Sequence, residues 1–203
     1  MRHRARMLRV VGWAGLAGLA AGAVAAPREW KFSVMLDGRP IGEHRFVLRD
    51  APGDRTLHSD AEFAVKILGI TAYRYRHHAV EQWQGDCLRS LTSTTDDDGK
   101  PSRVRADRDG GLGDVCTMSF AYWNPAMLAQ TRLLNAQTGR IETVQVQAAG
   151  AGTLVVAGAP VAAMRYRIVG AAQPIDVWYA ANGDWVGLDA VVAGGRKLSY
   201  RLP

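Results

Sequence analysis

The chain has 203 residues, of which 48% are apolar and 22% charged, a globular composition that fits one domain and excludes a disordered chain. Only 2 cysteines are present, which excludes a multi-disulfide miniature scaffold and a cysteine-rich zinc module. The formal net charge is +6, but that excess is concentrated at the beginning of the chain.

Arg2, Arg4, Arg6 and Arg9 precede an apolar run from Val10 to Val24, and Ala23-Val24-Ala25 fits the small-x-small cleavage rule. Residues 1–25 therefore read as a signal peptide, cut after Ala25 or, alternatively, after Ala26. The apolar run is about 15 residues, against roughly 20 for a spanning helix. An uncleaved N-terminal anchor is the competing reading. No Arg-Arg pair supports a twin-arginine route, and no cysteine near the cut supports a lipid anchor. Without the four leader arginines, 21 basic residues face 19 acidic ones, a net of +2. No Lys/Arg block of five remains, which argues against nucleic acid as a partner. The expected compartment is the bacterial periplasm, with no stable membrane insertion after cleavage.

Residues 26–203 alternate with period two almost throughout, the pattern of half-buried strands. Trp30, Phe32, Val34 and Leu36 share one face, and a turn follows at Asp37-Gly38-Arg39-Pro40. His44, Phe46 and Leu48 mark the return strand. Leu57, Ser59, Ala61, Phe63, Val65 and Ile67 share a face of the next one. Tyr73 to Trp83, Cys87 to Thr95 and Ser102 to Asp107 continue the series. Asn124-Pro125 then carries helix-start chemistry, an Asn cap with Pro at the first helical position, and predicts one short helix near residues 125–131. Strand patterns resume at Ile141–Gln147, Thr153–Ala157, Ala163–Val169, Ile175–Tyr179, Trp185–Val192 and Leu198–Leu202.

About a dozen strands joined by short turns leave little room for parallel crossovers. The expected fold is all-β: a single antiparallel sheet, strongly curved into a half-barrel or barrel, with a β-sandwich as the alternative. Two turns share the form G-x-x-[I/V]-G, at Gly38–Gly42 and Gly183–Gly187. In each, the first glycine suits a left-handed turn and the second a place where no side chain fits.

Few residues suggest chemistry. Cys87 and Cys116 have 28 residues between them, and in an oxidising compartment a disulfide is expected; a reactive thiol is the alternative. His77 and His78 are adjacent on a strand, so they point to opposite faces and cannot readily share a metal. The histidines form no zinc-hydrolase spacing, and Asp96-Asp97-Asp98-Gly99 lacks the later glutamate of a calcium loop, so no metal and no cofactor is expected. No G-x-S-x-G elbow is present, which disfavours a hydrolase. Tyr73, Tyr75, His77, Ala79, Glu81 and Trp83 form one aromatic face with two polar handles. That face reads either as a ligand-lining wall or as ordinary core. Phe120-Ala121-Tyr122-Trp123 reads either as packing at a barrel end or as a plug over a cavity mouth.

The Asp37–Gly42 hairpin, the Cys116–Pro125 segment and the closing Trp178-Tyr179, Trp185–Leu188 and Tyr200–Leu202 resemble an uncharacterised family of exported proteobacterial all-β proteins. The resemblance spans the chain beyond the leader and supplies no catalytic residues. The architecture is distantly similar to the periplasmic lipoprotein-carrier fold. The resulting expectation is a non-enzymatic protein that holds a lipid or other apolar small molecule in a curved sheet. Its candidate ligand residues are Phe63, Tyr73, Tyr75, His77, Glu81, Trp83, Tyr122 and Trp123. The alternative is a cell-envelope interaction or assembly factor with a protein partner and no small ligand.

Overall fold

The computed structural model describes residues 26–113 and 115–203. The signal-peptide reading, residues 1–25, lies outside the described residues.

Among the described residues, fourteen strands run in chain order: β1 (Arg28–Leu36), β2 (Arg39–Ala51), β3 (Asp54–Ile67), β4 (Ile70–Gln84), β5 (Cys87–Asp97), β6 (Lys100–Asp107), β7 (Met118–Ser119), β8 (Arg132–Leu134), β9 (Ile141–Thr143), β10 (Gln145–Val156), β11 (Ala159–Val169), β12 (Ile175–Ala180), β13 (Trp185–Val192) and β14 (Arg196–Arg201). Eleven of them form one sheet in the order β10-β11-β12-β13-β14-β1-β2-β3-β4-β5-β6. Every neighbouring pair in it is antiparallel. Nearly all are consecutive hairpins. The exception is β1 with β14, which pairs Ser33 with Arg201 and Leu36 with Leu198. The terminal strands β10 and β6 do not pair, so the sheet is a half-barrel rather than a closed barrel.

Alternation sets the curvature. Trp30, Phe32, Val34 and Leu36 of β1 are buried, while Arg28, Glu29 and Lys31 are exposed. The outward residues form cross-strand ion pairs, such as Arg45 with Glu29 at 2.7 Å and Arg76 with Glu62 at 3.2 Å. At such exposure these pairs contribute little to stability. The concave face gathers the large apolar side chains. Trp185 of β13 lies 4.4 Å from Phe32, 5.0 Å from Phe46 and 5.5 Å from Tyr122, between ring centroids. Strands from both halves of the sheet thus meet on one indole.

A second, smaller sheet covers part of this face. It has the order β7-β8-β9, with β7 and β8 parallel, and comes from the segment that precedes β10. The expectation of one sheet therefore holds for the large layer and omits this insert, whose strands of two and three residues are too short to show alternation. The helix is one 3-10 turn, Pro125–Ala129, shorter than the reading to 131. Asn124 Oδ1 accepts from Ala126 N–H at 3.1 Å. Gln130 returns to extended backbone and ends the turn. The Asp96–Gly99 run is a hairpin turn, in which Asp96 Oδ1 accepts from Gly99 N–H at 2.7 Å.

Two constraints, one covalent and one a hydrogen bond, set the insert's place. Cys87 and Cys116 form a disulfide at the start of β5. Asn124 Nδ2 donates to Asp86 Oδ1 at 2.9 Å, one residue before Cys87. The paired glycine motifs are built as the sequence suggests. Gly38 and Gly183 have φ of 77° and 84°. A Cβ on Gly42 would run into the Glu62 carbonyl and come within 2.9 Å of Phe63 Cα, and one on Gly187 would meet Leu154 at 2.9 Å.

Replacing both cysteines by serine should lower unfolding stability by about 3–4 kcal/mol, the loop-entropy value for this crosslink. Urea midpoints of the variant and of the reduced wild type should coincide. Gly42→Ala should cost about 2–3 kcal/mol in the same assay, because strand β3 must move to admit the methyl group.

Candidate functional site

The polar part of the concave face comes from β2, β3 and β4. Cross-strand pairing places His44 beside Ala61, Phe46 beside Ser59, Leu57 beside Glu81 and Ala61 beside His77. All of these side chains point inward, because the alternation that buries Phe46 and Leu48 also turns His44 to that side.

The residues singled out by sequence separate into two groups. Phe63 stacks on Tyr75 with centroids 5.2 Å apart, and both are buried in the core. His77 is buried, with Nδ1 2.8 Å from Thr95 Oγ1. Tyr73, half-buried, donates its hydroxyl to Asp97 Oδ1 at 2.8 Å. Trp83 is fully buried, edge-on to Trp123 at 5.4 Å. Glu81, Tyr122 and Trp123 instead line a cavity of about 280 Å³.

This cavity lies between β2–β4 on one side and β12–β13 on the other. Phe46, Leu57, Ala79, Ile175 and Ala190 supply apolar walls. Phe120, Tyr122 and Trp123, the run read either as packing or as a plug, line it and also pack against the core. Gln137, Ala172, Gln173 and Val191 line it while exposed to solvent, and so form its mouth.

The polar lining is His44, Ser59, Glu81, Asn135, Gln137, Glu142 and Gln173. His44 Nε2 is 2.7 Å from Ser59 Oγ, and its Nδ1 is 3.2 Å from the Tyr200 hydroxyl. Burial, with a smaller contribution from His77, lowers the His44 pKa to about 3. A base held that low is a weak acceptor for a serine proton, so the pair suits hydrogen-bonded lining better than nucleophile activation. Asn135 Nδ2 donates to Glu142 Oε1 at 2.7 Å. Glu142 Oε2 and Trp123 Nε1 are buried with no hydrogen-bond partner. His44, Ser59, Asn135 and Glu142 were not singled out by sequence. A signal existed for His44 and Ser59, each a polar residue on an otherwise apolar strand face.

Glu81 is 5% exposed and accepts from Trp83 Nε1 at 3.0 Å. Burial raises its pKa to about 7, against which the nearby Ser119 hydroxyl and the Trp83 N–H act. Ser119 Oγ is near enough to favour the charge but not in hydrogen-bond geometry. Below pH 4.5 the folded and unfolded chains both hold this proton. Between 4.5 and 7 the unfolded chain releases it and the folded chain keeps it, so stability falls as pH rises through that window. His44 and His77, lowered by burial to about 3 and about 4, act oppositely, and their contribution is lost as pH drops below 6.5. Glu81→Gln keeps an acceptor for Trp83 and removes the carboxyl. Relative to wild type, the variant should gain on the order of 3 kcal/mol between pH 4 and pH 8, measured by urea unfolding at both.

Residues 32–203 match the domain of unknown function DUF6134. No curated protein matches the chain in sequence. Among solved structures, the fold is similar to a beta-barrel-like protein of domain of unknown function DUF1849 from Brucella abortus. That match has a TM-score of 0.60 and 12% identity, and covers 89% of this chain and 98% of the other. At that identity the likeness concerns the fold alone. The half-barrel and the matched span agree with the uncharacterised family that the motifs suggested, and the chain belongs to the DUF6134 family.

Proposed function

We propose that this half-barrel is an exported, periplasmic binding protein that takes up a small, largely apolar molecule in the cavity between its concave face and the aromatic plug. The observation that carries this reading is the cavity itself. Apolar walls with a few convergent polar groups are the ordinary make-up of a small-molecule site. The volume of about 280 Å³ lies near the lower end of the usual range, roughly 300–1,000 Å³. That size suits a compact amphiphile and excludes a diacyl lipid held whole. The Cys87–Cys116 disulfide supports an oxidising compartment.

A second reading, an envelope interaction factor with no small ligand, draws on one feature. The tip of the β3–β4 hairpin exposes Ile67, Leu68 and Ile70, with Leu68 at 98%. Three aliphatic side chains together at a loop tip suit contact with another surface.

Native mass spectrometry of protein isolated from its own periplasm should show a near-stoichiometric small organic adduct. The Ala190→Phe variant should lose the adduct and remain folded, because residue 190 is half-buried at the cavity wall. A bare mass for the wild type, under conditions that retain ligand on a known carrier, would overturn the binding reading in favour of the second.

A further inference from the structure

We infer that the cavity selects a cationic or hydrogen-bond-donating head, a primary amine on a short apolar tail, and disfavours anionic amphiphiles such as fatty acids. The inference rests on the binding reading above and adds the charge of the ligand to it.

The charge inventory of the lining is one-sided. Two carboxyl groups, Glu81 and Glu142, line the cavity, and among the described residues no lysine or arginine does. His44 could supply a positive charge only if protonated, and burial, with a smaller contribution from His77, holds it neutral. Arg55 is the nearby cation. Its guanidinium lies 4.8 Å from the Trp123 ring centroid. It donates to the Gly85 carbonyl and pairs with Asp86 at 3.1 Å, so its charge is already met outside the lining. Above pH 7, where Glu81 gives up its proton, an anion entering the cavity would face two carboxyls with no counter-charge, the costly case for a buried ion.

A donor finds the opposite. Glu142 Oε2 is buried without a partner, an acceptor that costs free energy until a donor reaches it. Glu142 is also close enough to Tyr122 for its charge to push that phenol further up, after burial. The plug ring and the carboxyl therefore share one end of the space. Phe46, Phe120, Tyr122 and Trp123 present aromatic rings to the cavity, and aromatic faces attract cations. Trp123 is 4% exposed, and its Nε1 has no partner. That single donor suits a neutral oxygen or a water and does not replace a missing positive charge. The volume equals roughly nine waters at about 30 Å³ each, which fits an eight-carbon amphiphile.

The test uses three probes with one tail: octylamine, octan-1-ol and octanoate, titrated by calorimetry at pH 8 below their aggregation limits. Octylamine should bind at least about tenfold more tightly than octanoate, with octanol between them. Glu142→Gln should bring the amine and the acid within about threefold of each other and leave octanol unchanged. Glu81→Gln provides the same comparison from the other carboxyl. Octanoate binding as tightly as octylamine, with Ala190→Phe abolishing both, would overturn the charge inference and leave the binding site standing. No binding by any of the three, or binding that Ala190→Phe does not affect, would overturn the site and the inference together.

Discussion

An apolar face eleven strands wide has to be covered, and the rest of this structure follows from how that is done. Twist makes such a sheet curl. Curling alone covers only the middle, because β10 and β6 never meet. The remaining face is covered by the segment between β6 and β10, which brings its own short sheet and the Pro125–Ala129 turn. Trp185 stands where the three parts meet, touching β1, β2 and the plug residue Tyr122. Burying an indole among aromatic partners adds about 0.5–1.5 kcal/mol per pair beyond its area. The Cys87–Cys116 bond and the Asn124–Asp86 hydrogen bond set the point from which the segment enters.

A cover made of loops cannot interdigitate as closely as a paired strand, and the space left beneath it is the cavity. Its polar residues show two kinds of solution to burial. His77 with Thr95 and His44 with Ser59 and Tyr200 are satisfied within the sheet, by neighbours in register. Glu81 and Glu142 are only partly satisfied: Glu81 lies under the insert, and Glu142 belongs to it, on β9. Free polar capacity is therefore found where the cover is loosest. The cavity and its two carboxyl groups therefore lie together under the loosest part of the cover.

Much of the sheet was legible because alternation is a local signal. The run from Tyr73 to Trp83 reads as one buried and one solvated face, and the burial follows it residue by residue. The glycine pairs were legible for a similar reason, since a turn and a close approach each demand glycine within a few residues. What could not be read was anything set by distant partners. No local pattern joins β1 to β14, or brings Glu142 to Tyr122 and Ile175 across from His44. The aromatic face of β4 divides between core and cavity according to what the insert covers. Phe63 and Tyr75 stack within the sheet, whereas Glu81 lies under the insert, and one strand's alternation does not distinguish those positions.

The β1–β14 pairing also bears on how the chain reaches its native state. Both halves of the sheet are successions of hairpins, which close quickly because their contacts are near in sequence. The seam between them joins Ser33 to Arg201, so it closes a far longer loop than any of the hairpins does, at a larger entropy cost. Until β14 emerges, β1 is an edge with free backbone N–H and C=O groups and with Trp30, Phe32 and Val34 on its concave face, a surface prone to wrong pairing. The final strand works as a latch: its arrival joins two hairpin stacks and removes an exposed edge in one event. A chain built this way gains by staying unfolded until β14 has been made.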